Sequence, residues 1–320
     1  MLASSDHAGR TRTEPHVAIL MATYNGARFL TEQLETIRAQ VYSNWSLWAS
    51  DDGSSDATLA TMEAFREVCD TNRVSILNGP RQGFVRNFLS LACNTAIEAD
   101  YFAFCDQDDI WLPGKLERAV ALLEDAPANE PALYTGRTEI MTENGVVTGL
   151  SPLFTRKPDL RNALVQSIGG GNTIVFNRAA RDLLLLAGAD LDVPSHDWWC
   201  YLAVSACGGH VIYDSQSCLR YRQHSANIIG ENMSLAARMM RVEILLRGRF
   251  SRWIEANLDA LRRLRPAMPP SHTALVAQFE ALRRKRSGFA RVAGMRRLGL
   301  YRQTLLGSIS LHVAALLGKW

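Results

Sequence analysis

Residues 104–111 read Phe-Cys-Asp-Gln-Asp-Asp-Ile-Trp and crowd three carboxylates at the end of an apolar run. The run itself, Tyr101 to Cys105, has the composition of a buried strand. Residues two apart in an extended chain point the same way, so Asp106 and Asp108 project together. Two carboxylates that close repel each other unless a proton or a cation lies between them. A hard divalent ion, Mg2+ or Mn2+, suits the position, since such ions take oxygen ligands and share them with a substrate's phosphates. The same residues also read as a solvated acidic turn, with Pro113-Gly114 ending the segment.

What positions these residues is a regular alternation of strands and helices. Val17 to Ala22 is a continuous apolar run, as in a parallel strand buried on both faces, and Asn25-Gly26 breaks it. Phe29, Leu30, Leu34 and Ile37 then recur at helical spacing. Ser46 to Ser50 is a second strand, closed by the turn Asp51-Asp52-Gly53-Ser54, and Ser55 or Asp56 can cap the next helix. Arg73 to Leu77 is a third strand, Phe88 to Ile97 a helix, and Leu116, Val120 and Leu123 mark a further helix. This order predicts a doubly wound, mostly parallel sheet, whose sites lie beyond the carboxyl ends of the strands. Thr23-Tyr24-Asn25, the 51–54 turn and the 106–109 cluster all fall at such ends.

Beyond about residue 130 the pattern changes. Ala132 to Thr135 reads as a short strand, and Asn144-Gly145 as a hairpin turn. Gly169-Gly170-Gly171-Asn172 precedes a strand over 173–176, and the helix over 179–187 ends at Gly188. Ser195-His196-Asp197-Trp198-Trp199 opens another helix, and 211–213 and 218–221 read as strands. Arg-rich helical segments follow from Leu235.

The motifs Ala22-Thr23-Tyr24-Asn25-Gly26, Asp51-Asp52-Gly53-Ser54-Ser55-Asp56, Asp106-Gln107-Asp108-Asp109-Ile110-Trp111, His196-Asp197-Trp198-Trp199 and Tyr221-Arg222-Gln223-His224-Ser225-Ala226-Asn227 stand in one order over roughly residues 16–230. In that order and spacing the chain resembles a family 2 glycosyltransferase of the GT-A fold, most of all the bacterial rhamnosyltransferase-like branch that builds surface polysaccharides. The resemblance implies an α/β GT-A fold with a central mostly parallel sheet flanked by helices, plus a C-terminal helical extension. Its implied activity is inverting transfer of a sugar, L-rhamnose from dTDP-rhamnose being the first choice, to a glycan or lipid-linked glycan.

By this resemblance Asp52 pairs with the nucleotide base, with Thr23, Tyr24 and Asn25 nearby, Gly53 allowing close approach and Arg86 beside the nucleotide. Asp52 and Arg86 also read simply as a turn residue and a surface cation. Asp108 is implied as the direct metal ligand, Asp106 as a contact to the metal or the ribose, and Asp109 as their neighbour. Trp111 is either a core anchor or a sugar platform, the core being favoured. Asp197 is the implied general base, since a carboxylate beside two tryptophans is partly desolvated and more basic; it also reads as a plain helix start. The family often has Glu-Asp where this chain has His196-Asp197, so the role of His196 stays open. His224 is implied as a metal or diphosphate contact, or is structural. The glycines at 169–171 either shape the acceptor cleft or form a tight loop.

Composition sets the frame. The 320 residues are 47% hydrophobic and 21% charged, ordinary for a globular chain able to bury a full core. The net charge of +3 conceals a division: residues 234–320 hold 17 Lys+Arg against 4 Asp+Glu, and the first 233 hold 18 against 28. The reading is therefore a disordered tail over 1–15, a catalytic domain over 16–233 (nucleotide half 16–112, acceptor half 113–233) and a basic extension over 234–320. The extension's Leu305, Leu306, Ile309, Val313, Leu316 and Leu317 form an apolar side downstream of Arg291, Arg296, Arg297 and Arg302, which suits peripheral contact with a membrane; packing on the catalytic domain or a second subunit is the other reading. Six scattered cysteines without paired spacing, a polar N-terminus and no long apolar run point to the cytoplasm. Three rival classes fit the sequence less well. A nucleotidyltransferase would carry a Gly-rich basic signature where 23–28 has one glycine and no lysine; nucleic-acid binding would need a module besides Arg283-Arg284-Lys285-Arg286; a silent sugar-binding homologue would have no need of both the acidic cluster and Asp197.

Overall fold

The computed structural model describes residues 14–69, 71–224 and 248–320. The expected N-terminal tail, apart from its last two residues, and the Ser225-Ala226-Asn227 end of the last motif lie outside them, as does the start of the basic segment.

Four strands, β1 (Val17–Thr23), β2 (Trp45–Asp51), β3 (Val74–Asn78) and β4 (Tyr101–Cys105), run parallel in the order β3-β2-β1-β4. Helices α1 (Ala27–Arg38), α2 (Thr58–Val68) and α3 (Phe84–Ala92) connect them. Val17, Ile19 and Met21 enter one hydrophobic cluster, and Ala18 and Leu20 the other, so β1 is buried on both faces as its unbroken apolar run requires.

The sheet then changes direction. Strands β5 (Ile110–Trp111), β6 (Ala132–Thr142), β7 (Val147–Leu150), β8 (Val175–Asn177) and β9 (His210–Gln223) extend it, in the order β4-β8-β6-β9-β5 with β7 paired to β6. β8 is antiparallel to both β4 and β6, whereas β6 and β9 run parallel over most of their length. Helices α4 (Lys115–Leu123), the single turn α5 (Leu160–Ala163), α6 (Arg178–Ala187) and α7 (His196–Ala206) cover this half.

Several boundaries differ from those expected, among them the end of the helix expected at Ile97, which stops at Ala92. The strand expected over 132–135 continues to Thr142, and the two strands at 211–213 and 218–221 are one. Register shifts around Gly136 and Arg137 break the alternation there, which hides the continuity from a pattern search. Helix α3 begins four residues early, directly after Gly83 at φ +88°, a conformation that only glycine adopts freely.

The basic segment forms α8 (Arg249–Leu264), α9 (Pro270–Arg283), α10 (Gly288–Leu298) and α11 (Leu305–Leu317). Phe250, Ile254, Leu261, Phe279, Met295 and Trp320 join the hydrophobic cluster that contains α7. Trp198 stacks on Phe250 with ring centres 6.3 Å apart, and Asn162 donates to the Tyr301 carbonyl at 3.0 Å. Residues 248–320 are therefore part of the core. No described helix is long and apolar enough to cross a membrane.

Candidate active site

The loops after β1, β2 and β4 meet at the carboxyl edge of the parallel strands. Asp51 ends β2, and its carboxylate accepts from the Thr23 hydroxyl (3.0 Å), from Gly53 and Ser54 amides (3.1 and 2.8 Å) and from the Ser54 hydroxyl. The Asn25 side chain accepts from the Ser55 amide at 2.8 Å, and Asn25 itself stands at φ +46°. Thr58 Oγ1 and Asp56 take the Gly26 and Ala27 amides, which supplies partners for the first N–H groups of α1. The first two polar clusters are thus laced together by side chain to main chain bonds.

Asp52 faces a different neighbour. Its carboxylate accepts from the Arg81 and Gly83 amides at 2.6 and 2.7 Å, which pins the loop after β3 beside the turn. Arg81 adopts φ +58°, and a Cβ on Gly53 would lie 3.2 Å from its Nε, so Arg81 lies against the turn. Sequence reasoning gave Arg81 no role. Arg86 donates to the Ala189 carbonyl at 3.3 Å and lies 4.0 Å from Asp192, toward the loop before α7. Tyr24 is exposed at the mouth of the site.

Gln107 connects the first loop to the acidic cluster. Its amide accepts from Tyr24 N (2.9 Å) and donates to Tyr24 O (3.1 Å), as a neighbouring strand would. A Cβ on Gly26 would overlap that amide, which explains the glycine.

The structure sets His224 against Asp108, and Asp108 and Asp197 lie near enough to Asp106 for their charges to act on it. His224 Nε2 lies 2.7 Å from Asp108 Oδ2, and its ring is 5.2 Å from that of Phe29. Burial, then the charges of Asp108 and Asp197, push the Asp106 carboxyl up to about 7. Asp197 at the start of α7 accepts from the Trp198 amide at 2.6 Å, and burial raises its carboxyl above the usual carboxylate range. A half-buried, partly desolvated carboxylate is a suitable proton acceptor.

A buried layer lies beneath these acids. Asp109 accepts from Asn172 Nδ2 (2.5 Å) and from the Arg222 amide (3.2 Å), while burial and its two acidic neighbours hold its carboxyl well above normal. Lys115, buried at 2% exposure, donates to the Asn172 carbonyl at 2.7 Å, and its ammonium sits 3.6 Å from the centre of the buried Trp111 ring. Arg222 donates to the Asp108 carbonyl (3.0 Å), to the Glu143 carbonyl (2.9 Å) and to the Glu32 carboxylate, with Phe29 against its guanidinium. Lys115 and Asn172 are spelled as ordinary helix and loop residues, and nothing in their spacing marks them. Arg222 stood inside a recognised motif and could have been found there.

His196 is enclosed. Phe88 stacks on its ring at 3.9 Å and Phe104 meets it edge-on at 4.7 Å, neither ring nitrogen finds a hydrogen-bond partner, and burial depresses its pKa to about 3. It anchors the start of α7 as a neutral aromatic. A Cβ on Gly171 would overlap the imidazole, and one on Gly169 would overlap the Thr135 hydroxyl. Gly169 and Gly171 are thus needed for close packing under the site.

Among the described residues, no group of three or more His, Cys, Asp or Glu side chains is spaced to hold a metal ion alone. Asp106 and Asp108 would suit a divalent ion that draws its other ligands from water and phosphate, Asp106 being buried and beside the like charges of Asp108 and Asp197.

A family model, glycosyl transferase family 2, matches residues 18–184, slightly more than half of the chain. The chain belongs to glycosyl transferase family 2. It is 29% identical over 239 residues to the dTDP-rhamnosyl transferase RfbG of Shigella flexneri, covering 70% of this chain and 78% of that one. It is also 29% identical over 166 residues to the UDP-Glc:alpha-D-GlcNAc-diphosphoundecaprenol beta-1,3-glucosyltransferase WfgD of Escherichia coli, over 51% of this chain and 60% of the other, less than two thirds of that protein. Solved structures of similar fold include S. aureus TarS 1-349, at 12% identity, 95% and 89% coverage and a TM-score of 0.56. The mannosyltransferase PcManGT of Pyrobaculum calidifontis, solved with GDP-Man and Mn2+, matches at 18% identity, 96% and 88% coverage and a TM-score of 0.51. At such identities the likeness is one of fold, here the GT-A fold.

Proposed function

We propose that this family 2 glycosyltransferase moves a sugar from a nucleotide diphosphate donor to a hydroxyl of a glycan or lipid-linked glycan, with inversion at the anomeric carbon, in bacterial surface polysaccharide synthesis. The observation that carries the reading is the convergence of Asp106, Asp108 and His224 with Asp197 at the carboxyl ends of the strands. The proposed donor is dTDP-L-rhamnose, supported by the similarity to a dTDP-rhamnosyl transferase over most of both chains.

In this reading the 23–25 loop and the Asp51-Asp52-Gly53 turn receive the nucleoside, with Arg86 at the far side. Asp106 and Asp108 would hold Mg2+ or Mn2+, which when bound supplies counter-charge for the departing diphosphate. Asp197 takes the proton from the acceptor hydroxyl as its oxygen bonds to the anomeric carbon. The bond from that carbon to the diphosphate oxygen breaks, and the nucleoside diphosphate leaves. A single displacement of this kind inverts the centre. His224, bonded to Asp108, is the proposed contact to the metal or the diphosphate. Thermal-shift titration with dTDP-, UDP- and GDP-sugars, each with and without Mn2+, tests the reading. Stabilisation by dTDP-rhamnose above the others, followed by release of dTDP with an acceptor glycan, is the expected result. Preference for another nucleotide overturns the rhamnose assignment, and no nucleotide response overturns the activity.

A further inference from the structure

We propose that the outer face of α11, together with Phe289, seats this protein on an anionic lipid bilayer. Helix α11 has 13 residues and no charged side chain. Its Leu311, Ala314 and Ala315 enter the core, yet Leu305, Leu306, Ile309, Val313, Leu316 and Leu317 are 42–79% exposed along the opposite side. An apolar stripe this continuous, interrupted only at its border by Ser310 and His312, is normally covered. Phe289, 81% exposed, stands beside the end of α11, since Gly288 packs directly against the Leu316 carbonyl.

Cations are built into the rim of this ridge. Arg291 donates to the Ala315 and Leu316 carbonyls that end α11 (2.5 and 3.2 Å) and to the Lys285 and Arg286 carbonyls (2.6 and 3.2 Å). One guanidinium thus holds the exposed run Arg284-Lys285-Arg286 at the end of the apolar helix. From Ala281 to Trp320 the chain carries nine Lys and Arg and no Asp or Glu. An apolar stripe bordered by cations is the chemistry of an interfacial helix on anionic headgroups. A second copy would bring two such cationic rims face to face, and like charges oppose that pairing. The helix, about 20 Å long, is too short to span a bilayer, and its inner face is committed to the core, so it lies along the surface. The inference is independent of the donor sugar.

Co-sedimentation of the full chain with vesicles of about 30% phosphatidylglycerol in phosphatidylcholine tests it. Binding to these, little binding to pure phosphatidylcholine, and loss between about 0.1 and 1 M salt are expected. Leu306→Glu with Ile309→Glu should lower partitioning at least about tenfold by removing apolar insertion. Replacing Arg284, Lys285 and Arg286 by Ser should lower it roughly 100-fold, at about fivefold per cation. Both variants should keep the wild-type melting temperature and the wild-type turnover of a soluble acceptor. Equal binding to neutral and anionic vesicles, or none to either, overturns the proposal. So does a dimer in light scattering that Leu306→Glu with Ile309→Glu converts to monomer, since the ridge would then be a subunit interface.

Discussion

His224 Nε2 lies 2.7 Å from Asp108 Oδ2, although 116 residues separate the two in the chain. The contact joins the end of β9 to the loop after β4, so the acidic cluster is completed only when both halves of the sheet are in place. Asp108→Ala removes one of the two carboxylates proposed to hold the divalent ion that would supply counter-charge to the diphosphate. Transfer should be abolished and metal-dependent nucleotide binding weakened, while His224→Ala should retain measurable turnover with weaker donor binding. Near-normal turnover of Asp108→Ala, or indifference of the wild type to excess chelator, would remove the metal from the scheme.

Asp197→Asn keeps the shape of the side chain and its bond from the Trp198 amide, but cannot accept a proton. Donor binding should persist, and the rate should fall by about 10²–10⁴-fold, the range for loss of a general base. The glycosidic product of the wild type should show inverted configuration by NMR coupling. Parallel loss of affinity and rate in the variant would assign Asp197 to the helix start alone.

Burial of His196 makes stability depend on pH. In the unfolded chain the imidazole binds a proton below about 6.5, whereas in the fold it stays neutral down to about 3. Between these values the unfolded state holds more protons, so stability falls as pH drops, by up to about 1.4 kcal/mol per pH unit. Above pH 6.5 the contribution is fully present. His196→Leu should remove this component: the difference in unfolding free energy between variant and wild type should shift in the variant's favour from pH 6.5 toward 4. Parallel pH curves in urea melts would contradict it.

Gly171→Ala should destabilise the fold by about 1–3 kcal/mol, because the added methyl overlaps the imidazole in a packed layer. In a His196→Ala background the same change should cost much less, since the obstructing ring is gone. A double-mutant cycle by denaturant melts measures the coupling. Additive costs would mean that the glycine serves backbone conformation instead.

The parallel half of the fold is legible because its physics is local. The run Val17 to Ala22 reads as a strand buried on both faces and is one, and the polar clusters at the strand ends meet at the candidate site. Trp111 is in the core as favoured. Less visible were pairings between distant segments. Nothing in the sequence assigns Gln107 a partner, yet its amide completes a bridge to Tyr24. Lys115 sits on a helix that reads as ordinary, while its ammonium is buried against Trp111. In α11 the helical period identifies the leucine stripe but not which stripe turns inward. The core took Leu311, Ala314 and Ala315, because small residues permit close approach. Residues 248–320, expected as an extension, are therefore bound into the molecule on one side and bare on the other.

Arg222 donates to the Asp108 carbonyl across 114 residues of chain, and that distance has a consequence during synthesis. At roughly 5–20 residues per second a ribosome needs about 6–23 s to pass from one to the other. For that interval the parallel half can be assembled with its acidic loop untied, and during its first part, until β8 is made, the edge of β4 is unpaired as well. An unpaired edge beside an apolar strand is where nascent chains associate wrongly. The guanidinium that orders the finished site is thus also a late latch, and chains stalled before it should be captured by chaperones more strongly than chains stalled just after β9.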